Sequence, residues 1–188
     1  ATADGSVVVG RTGTVVVVGR FFESSKTYAT GALHPDGLIY LAGDTSGQLS
    51  IWDFKSQSLA GSLDYDNEAA VKCVEFSNNG YHVGAIYEDN SVVVWDLRKQ
   101  SILKKLTVEM SEACSLQFDA SGKYLAISGS RSSDGRMVVQ VVTVKQWEDT
   151  VTLEASKGLQ VKAGLLFGKS WIAASAFKKT APQVVFFG

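Results

Sequence analysis

The stretch Gly164-Leu165-Leu166-Phe167-Gly168-Lys169-Ser170 ends like a phosphate-binding loop. Such a loop needs four residues between its glycines, so that backbone N–H groups can wrap the phosphates, and a helix must start behind it. Here three residues separate the glycines and an apolar strand-like run follows, so the stretch reads as a turn between strands. Gly10-Arg11-Thr12-Gly13 lacks a following Lys-Ser/Thr and reads as a hairpin turn. The only histidines, His34 and His82, stand in or beside turns, with no second ligand at metal spacing and no Ser or Cys nucleophile nearby. Carboxylates are spread over turns without forming a pair, and Lys178-Lys179 reads as a solvated turn. These patterns point away from catalysis: no catalytic residue, cofactor or metal ligand is assigned.

The elements that would position any site repeat along the chain. His34-Pro35-Asp36-Gly37-Leu38-Ile39-Tyr40 leads to Ser50-Ile51-Trp52-Asp53, and Ser77-Asn78-Asn79-Gly80-Tyr81-His82-Val83 leads to Val93-Val94-Trp95-Asp96. Gly37 to Gly80 and Trp52 to Trp95 are both 43 residues, and Gly80 to Gly122 is 42. A period of about 40–45 residues, closed by Trp-Asp after a short apolar run, is the signature of a WD-repeat β-propeller. The glycine supplies a turn with positive φ, and the tryptophan buries its ring between neighbouring sheets while its N–H seeks a partner.

The expected fold is therefore all-β, about four blades plus a partial one. Val7–Val9 and Thr14–Val18 read as the back of an incomplete blade, so residues 1–27 are a partial blade or closing strands and residues 28–188 are four blades of a single propeller. The first blade covers about 28–62, with strands Tyr28–Leu33, Leu38–Gly43, Gln48–Trp52 and Ser58–Leu63. The second covers about 70–107, with Val71–Phe76, Tyr81–Tyr87, Ser91–Trp95 and Ile102–Leu106. The third runs through Ala113–Phe118, Lys123–Ser128, Val138–Val144 and Thr150–Leu153, and the fourth through Val161–Phe167, Trp171–Ser175 and Gln183–Phe187. Phe118 to Phe167 is 49 residues where Phe76 to Phe118 is 42, an excess assigned to the polar loop Arg131–Arg136. A fourth outer strand for the last blade is expected from the N-terminal region, which would remove an open edge.

Composition narrows the function classes. Apolar residues make up 45% of 188 and the formal net charge is −1, so no global field draws the chain to nucleic acid or to a membrane. No apolar run is long enough to cross a bilayer as a helix. Without a start Met or a charged-then-apolar leader, the chain is expected to carry no signal peptide and to be part of something longer. Cys73 and Cys114 fall in core strands and read as reduced, buried and intracellular.

Ala32-Leu33-His34-Pro35-Asp36-Gly37-Leu38-Ile39, Trp95-Asp96-Leu97-Arg98-Lys99, Lys145-Gln146-Trp147 and Leu166-Phe167-Gly168 occur in this order over residues 28–188. The set resembles the C-terminal WD-repeat domain of the pre-mRNA-splicing U-box ubiquitin ligases that give the Nineteen complex its name. The resemblance implies a nuclear parent protein with a U-box, a coiled coil that makes it a homo-oligomer, and a propeller that recognises spliceosomal or Nineteen complex proteins. Neither a U-box nor sustained heptads are present here, so the ligase step is not expected in these residues. The chain departs from strong WD repeats at the buried Asp–His–Ser/Thr–Trp network. Asp89 stands six residues before Trp95 as the pattern requires, but Ser46, Asn67, Tyr87 and Lys178 occupy positions where Asp, His, Ser/Thr and Asp are expected.

The expected function is partner or substrate recognition. A WD-repeat scaffold from another pathway is the alternative, and a small enzyme with a site in the propeller channel is the least supported reading. The best-matching stretches are an a–b turn and two c–d turns, which open on one rim. His34, Asp36, Arg98, Lys99, Lys145 and Trp147 are the candidate partner-binding residues, with Trp147 as an aromatic anchor if exposed.

Overall fold

A computed structural model describes residues 7–10, 17–21, 25–66, 68–156, 159–168, 171–178 and 181–187. Every regular element is a β-strand, and the strands form successive antiparallel sheets. β1 (Val7–Gly10) pairs with β2 (Val17–Phe21). β3 (Tyr28–Leu33), β4 (Ile39–Asp44), β5 (Gln48–Asp53) and β6 (Ser58–Asp64) make the first four-stranded blade. β7 (Val71–Phe76), β8 (His82–Tyr87), β9 (Val92–Asp96) and β10 (Ser101–Leu106) make the second. β11 (Glu112–Phe118), β12 (Tyr124–Ser130), β13 (Met137–Thr143) and β14 (Gln146–Glu154) make the third. β15 (Gln160–Phe167), β16 (Ile172–Lys178) and β17 (Ala181–Phe187) form a three-stranded sheet, and among the described residues no fourth strand pairs with β17.

Each four-stranded sheet is a meander, so strand position follows sequence order. β8 and the Val92-Val93-Val94-Trp95 run of β9 are buried on both faces, as continuous β-branched and apolar runs require. β10 alternates exposed and half-buried positions, which marks an outer strand with one face in water. The first strands β3, β7, β11 and β15 contact one another in series. Cores therefore lie between neighbouring sheets. Leu41, Leu49, Ile51 and Leu63 of the first blade pack on Val74, Phe76, Tyr87 and Trp95 of the second. Val92 and Val94 pack on Leu116, Phe118 and Leu125 of the third. Val139 and Met137 pack on Leu165 and Ile172 of the last. Trp95 is only 2% exposed and Phe118 6%, so both are core residues.

The repeat extends to its irregularities. The register slips near the start of every first strand, between Tyr28 and Thr30, Val71 and Cys73, Ala113 and Ser115, and Val161 and Leu165. Such a bulge adds local twist where neighbouring first strands converge. The repeating glycines Gly37, Gly80 and Gly122 have φ of 74°, 71° and 69° and close the a–b turns. The Asp after each repeat tryptophan caps the c–d turn: Asp53 Oδ1 accepts from the Ser56 N–H at 2.7 Å, and Asp96 Oδ1 from the Arg98 and Lys99 N–H groups at 3.0 and 3.2 Å.

Several expectations change. The loop 131–136 is six residues against four in the equivalent connection 88–91, so it holds only two of the extra residues. Longer strands account for much of the rest: β13 has seven residues against five in β9, and β14 nine against six in β10. β14 starts at Gln146 rather than Thr150 because the β13–β14 turn shrinks to Val144-Lys145, with Lys145 at φ 76°. Gly164 to Phe167 lie within β15, and the turn begins only at Gly168, whose N–H donates to the Trp171 carbonyl at 2.8 Å. Lys178 ends β16 opposite Ala181 and is not a turn residue. Cys73 and Cys114, on neighbouring strands β7 and β11, are free and half-buried, not sealed in a core; burial pushes both thiols up. The predicted turn at Gly10–Gly13 falls mostly outside the described residues, as do Val15, Val16 and Asn67.

Candidate partner-binding rim

The a–b and c–d turns emerge together on one rim, and the a–b turns of the first and second blades are each tied to the next. His34 Nε2 donates to the Gly80 carbonyl at 3.1 Å, and its ring meets Phe76 edge-on with centroids 5.1 Å apart. Its Nδ1 lies 2.7 Å from Asp36 Oδ1. A Cβ on Gly80 would stand 2.3 Å from His34 Nε2, so only glycine admits this latch. One blade further on, Asn78 Nδ2 donates to the Ala120 carbonyl at 3.3 Å. Asp36 is exposed, and the Leu38 N–H holds its carboxyl below the usual range, helped by His34.

The second and third blades leave a cleft of about 600 Å³ at this rim, lined among others by Asn79, Tyr81, His82, Arg98, Lys123 and Lys145. Arg98 stacks its guanidinium 4.2 Å from the Tyr81 ring centroid, and its Nε lies 3.7 Å from Asp96 Oδ1. Burial pushes the Asp96 carboxyl up, but the Lys99 N–H, the Arg98 guanidinium and the Arg98 N–H outweigh it, so the carboxyl titrates below its ordinary value. Burial pushes His82 down; Asp96 opposes this, while Lys145 and Arg98 add to it.

The six candidates separate into three places. Arg98 and Lys145 share the cleft, with Lys99 exposed in the Arg98 turn. His34 and Asp36 form the junction of the first two blades, where His34 serves chiefly as a latch. Trp147 does not join them as an anchor. It is half-buried on β14, packs on the core between the second and third blades, and faces a smaller cleft beside Lys104, Lys105 and Gln140. The period could have found Lys123, which follows Tyr81 by 42 residues at the same a–b position. His82 points inward from a strand, a placement that a lone histidine does not announce.

At the opposite rim the network is redistributed. Asp89 is exposed and caps its own turn, accepting from the Ser91 N–H at 2.9 Å and the Ser91 hydroxyl at 2.7 Å. Tyr87 is fully buried with its hydroxyl close to Trp95; neither the hydroxyl nor the Trp95 indole N–H makes a close hydrogen bond among the described residues, and burial raises the phenol's pKa. In the first blade, buried Asp44 takes the acidic role two residues before Ser46. Its Oδ1 accepts from the Ser46 N–H and hydroxyl at 2.9 and 2.7 Å and from the Gln48 N–H at 3.0 Å.

Meander blades in series, glycine a–b turns and Trp-Asp c–d turns define a WD-repeat β-propeller chain. The family model described as WD domain, G-beta repeat matches residues 57–96. The C-terminal WD40 domain of Sif2 superposes with a TM-score of 0.71 at 14% identity, over 98% of this chain and 52% of that one. Within the class, sequence relatives include pre-mRNA-processing factor 19 proteins. Homolog 2 from Arabidopsis thaliana is 36% identical over 142 residues, and the protein from Oryza sativa 36% over 144. The protein from Dictyostelium discoideum is 34% identical over 55% of this chain. The chain spans about a quarter of the length of the first two, 26% in each case.

Proposed function

We propose that this chain is a partner-recognition propeller of a splicing-associated ubiquitin ligase of the pre-mRNA-processing factor 19 type. The observation that carries the reading is the sequence relationship to those proteins, joined to a rim on which turn side chains from adjacent blades converge. Its partners are proteins of the spliceosome or the Nineteen complex in the nucleus, and nucleic acid is not contacted directly. In this reading the ligase step belongs to a U-box and oligomerisation to a coiled coil, neither of which these residues resemble. Residues 28–188 act as blades of one propeller, and residues 1–27 as a partial blade or closing strands.

Arg98 and Lys99 are the rim cations to test, because both are exposed and change no core contact. Reversing both to Glu, with Glu88→Lys in the b–c turn of the same blade as the opposite-rim control, should selectively reduce recovery of splicing proteins from nuclear extract. Unchanged recovery with the Arg98/Lys99 variant, together with a loss in the Glu88 variant, would assign the opposite face.

A further inference from the structure

We propose that the cleft between the second and third blades is an oxyanion site that takes a phosphorylated side chain of a protein partner. The inference rests on the reading of this rim as the partner surface and adds the chemistry recognised there.

Three cations from three turns converge on the cleft: Arg98 from β9–β10, Lys123 from β11–β12 and Lys145 from β13–β14. The carboxylate nearest Arg98 is Asp96, whose Oδ1 already accepts two backbone N–H bonds. Lys123 and Lys145 make no ion pair among the described residues. Two other lysines at blade junctions are neutralised: Lys72 meets Glu112 at 3.1 Å and Lys104 meets Glu148 at 2.7 Å. The excess positive charge at this cleft is thus a local property, since the chain as a whole has a net charge of −1.

A second observation points to a ligand. His82 lines the cleft, is only 9% exposed, and its buried Nδ1 has no hydrogen-bond partner among the described residues. A buried ring nitrogen without a partner is costly, and an anion in the cleft toward which the ring turned would supply one. Arg98 is held over Tyr81, so its planar donors are partly ordered before a ligand arrives. A phosphate dianion offers several terminal oxygens that separate cations can share, whereas one carboxylate offers two. The volume of about 600 Å³ exceeds that of a phosphate and leaves room for flanking peptide against Tyr81 and Asn79.

The test is an NMR titration of the protein with N-acetyl-phosphoserine amide, N-acetyl-glutamate amide, the unphosphorylated serine amide and inorganic phosphate. Phosphoserine amide should bind most tightly and shift the His82 imidazole and the backbone amides of Asn79, Lys123 and Lys145. Lys123→Ala with Lys145→Ala should weaken that binding at least tenfold, and the charge-matched control Lys55→Ala with Lys72→Ala, both exposed and outside the cleft, less than twofold. Equal weakening by the control would reduce the effect to diffuse charge and overturn the proposal. So would equal affinity for the glutamate amide, which indicates an acidic side chain, or for inorganic phosphate, which indicates a free anion. The rim reading fails separately: phosphoserine binding that survives alongside unchanged partner recovery sinks that reading and leaves the site.

Discussion

The His34–Gly80 latch is open to a measurement with a built-in control. Gly37 and Gly80 occupy the same place in successive a–b turns, with φ of 74° and 71°, so alanine at either pays the same left-handed strain of about 1 kcal/mol. Their surroundings differ. A Cβ at Gly37 meets nothing within 4 Å, while one at Gly80 falls 2.3 Å from His34 Nε2 and 2.7 Å from its Cε1. Gly80→Ala must expel the imidazole, losing a net hydrogen bond worth about 1 kcal/mol and an edge-on contact with Phe76 of about 1 kcal/mol. The expected costs are therefore about 1 kcal/mol for Gly37→Ala and about 3 kcal/mol for Gly80→Ala. Urea denaturation followed by tryptophan fluorescence measures both. In a His34→Ala background the cost at Gly80 should fall to the Gly37 value, because the group to be expelled is gone. Equal costs at the two glycines in the parent protein would refute the latch as an energetic link between blades.

Trp95→Ala removes a ring from the core between the first two blades and should cost about 3–5 kcal/mol, read from the same denaturation curve. Asn90 joins the second and third blades, donating to the Met110 carbonyl at 2.7 Å and accepting from the Ala113 N–H at 2.5 Å, with φ at 70°. Asn90→Ala should cost about 2–3 kcal/mol and Asn90→Gly less, since glycine relieves the backbone strain but restores neither bond. Burial, Lys145 and Arg98 hold the His82 pKa below its unfolded value of 6.5 against the pull of Asp96, so the unfolded chain binds the proton more readily. Stability should therefore fall as pH drops below 6.5, level off once the folded imidazole is also protonated, and lose that slope in His82→Asn; a slope unchanged by the substitution contradicts the assignment.

Much of the fold was legible because the physics that builds a blade is local. Ser91–Trp95 reads as the third strand of its blade, and the structure places β9 over Val92–Asp96. Gly37, Gly80 and Gly122 mark the a–b turns through a conformation that other residues avoid, so their spacing carries the blade period. The excess in the third blade was misplaced for the same reason. A polar hairpin is conspicuous, whereas strands lengthened by two or three residues with unchanged composition are not. Only pairing partners such as Thr143 with Gln146 disclose that the turn contracted to Val144-Lys145.

The rim was legible only in part, because its contacts cross between repeats. Arg98 follows a Trp-Asp marker, so its turn could be assigned from spacing, and the stack on Tyr81 joins two turns of one blade. His34, by contrast, finds its main partner 46 residues away at Gly80, and nothing around it reveals whether it faces a partner or the neighbouring turn. Trp147 illustrates the same limit from the other side. Its neighbour Lys145, in the β13–β14 turn, opens into the rim cleft, yet two residues on, in the irregular start of β14, the indole rests against the core between the second and third blades and faces a different cleft. A repeat period locates such residues along the rim, but their direction is set by the blade next door. The cleft that unites Arg98, Lys123 and Lys145 exists only because the third blade packs on the second at a fixed rotation. A variant that loosened that packing without touching any cation, such as Leu116→Ala on β11, should therefore weaken anion binding as well as stability.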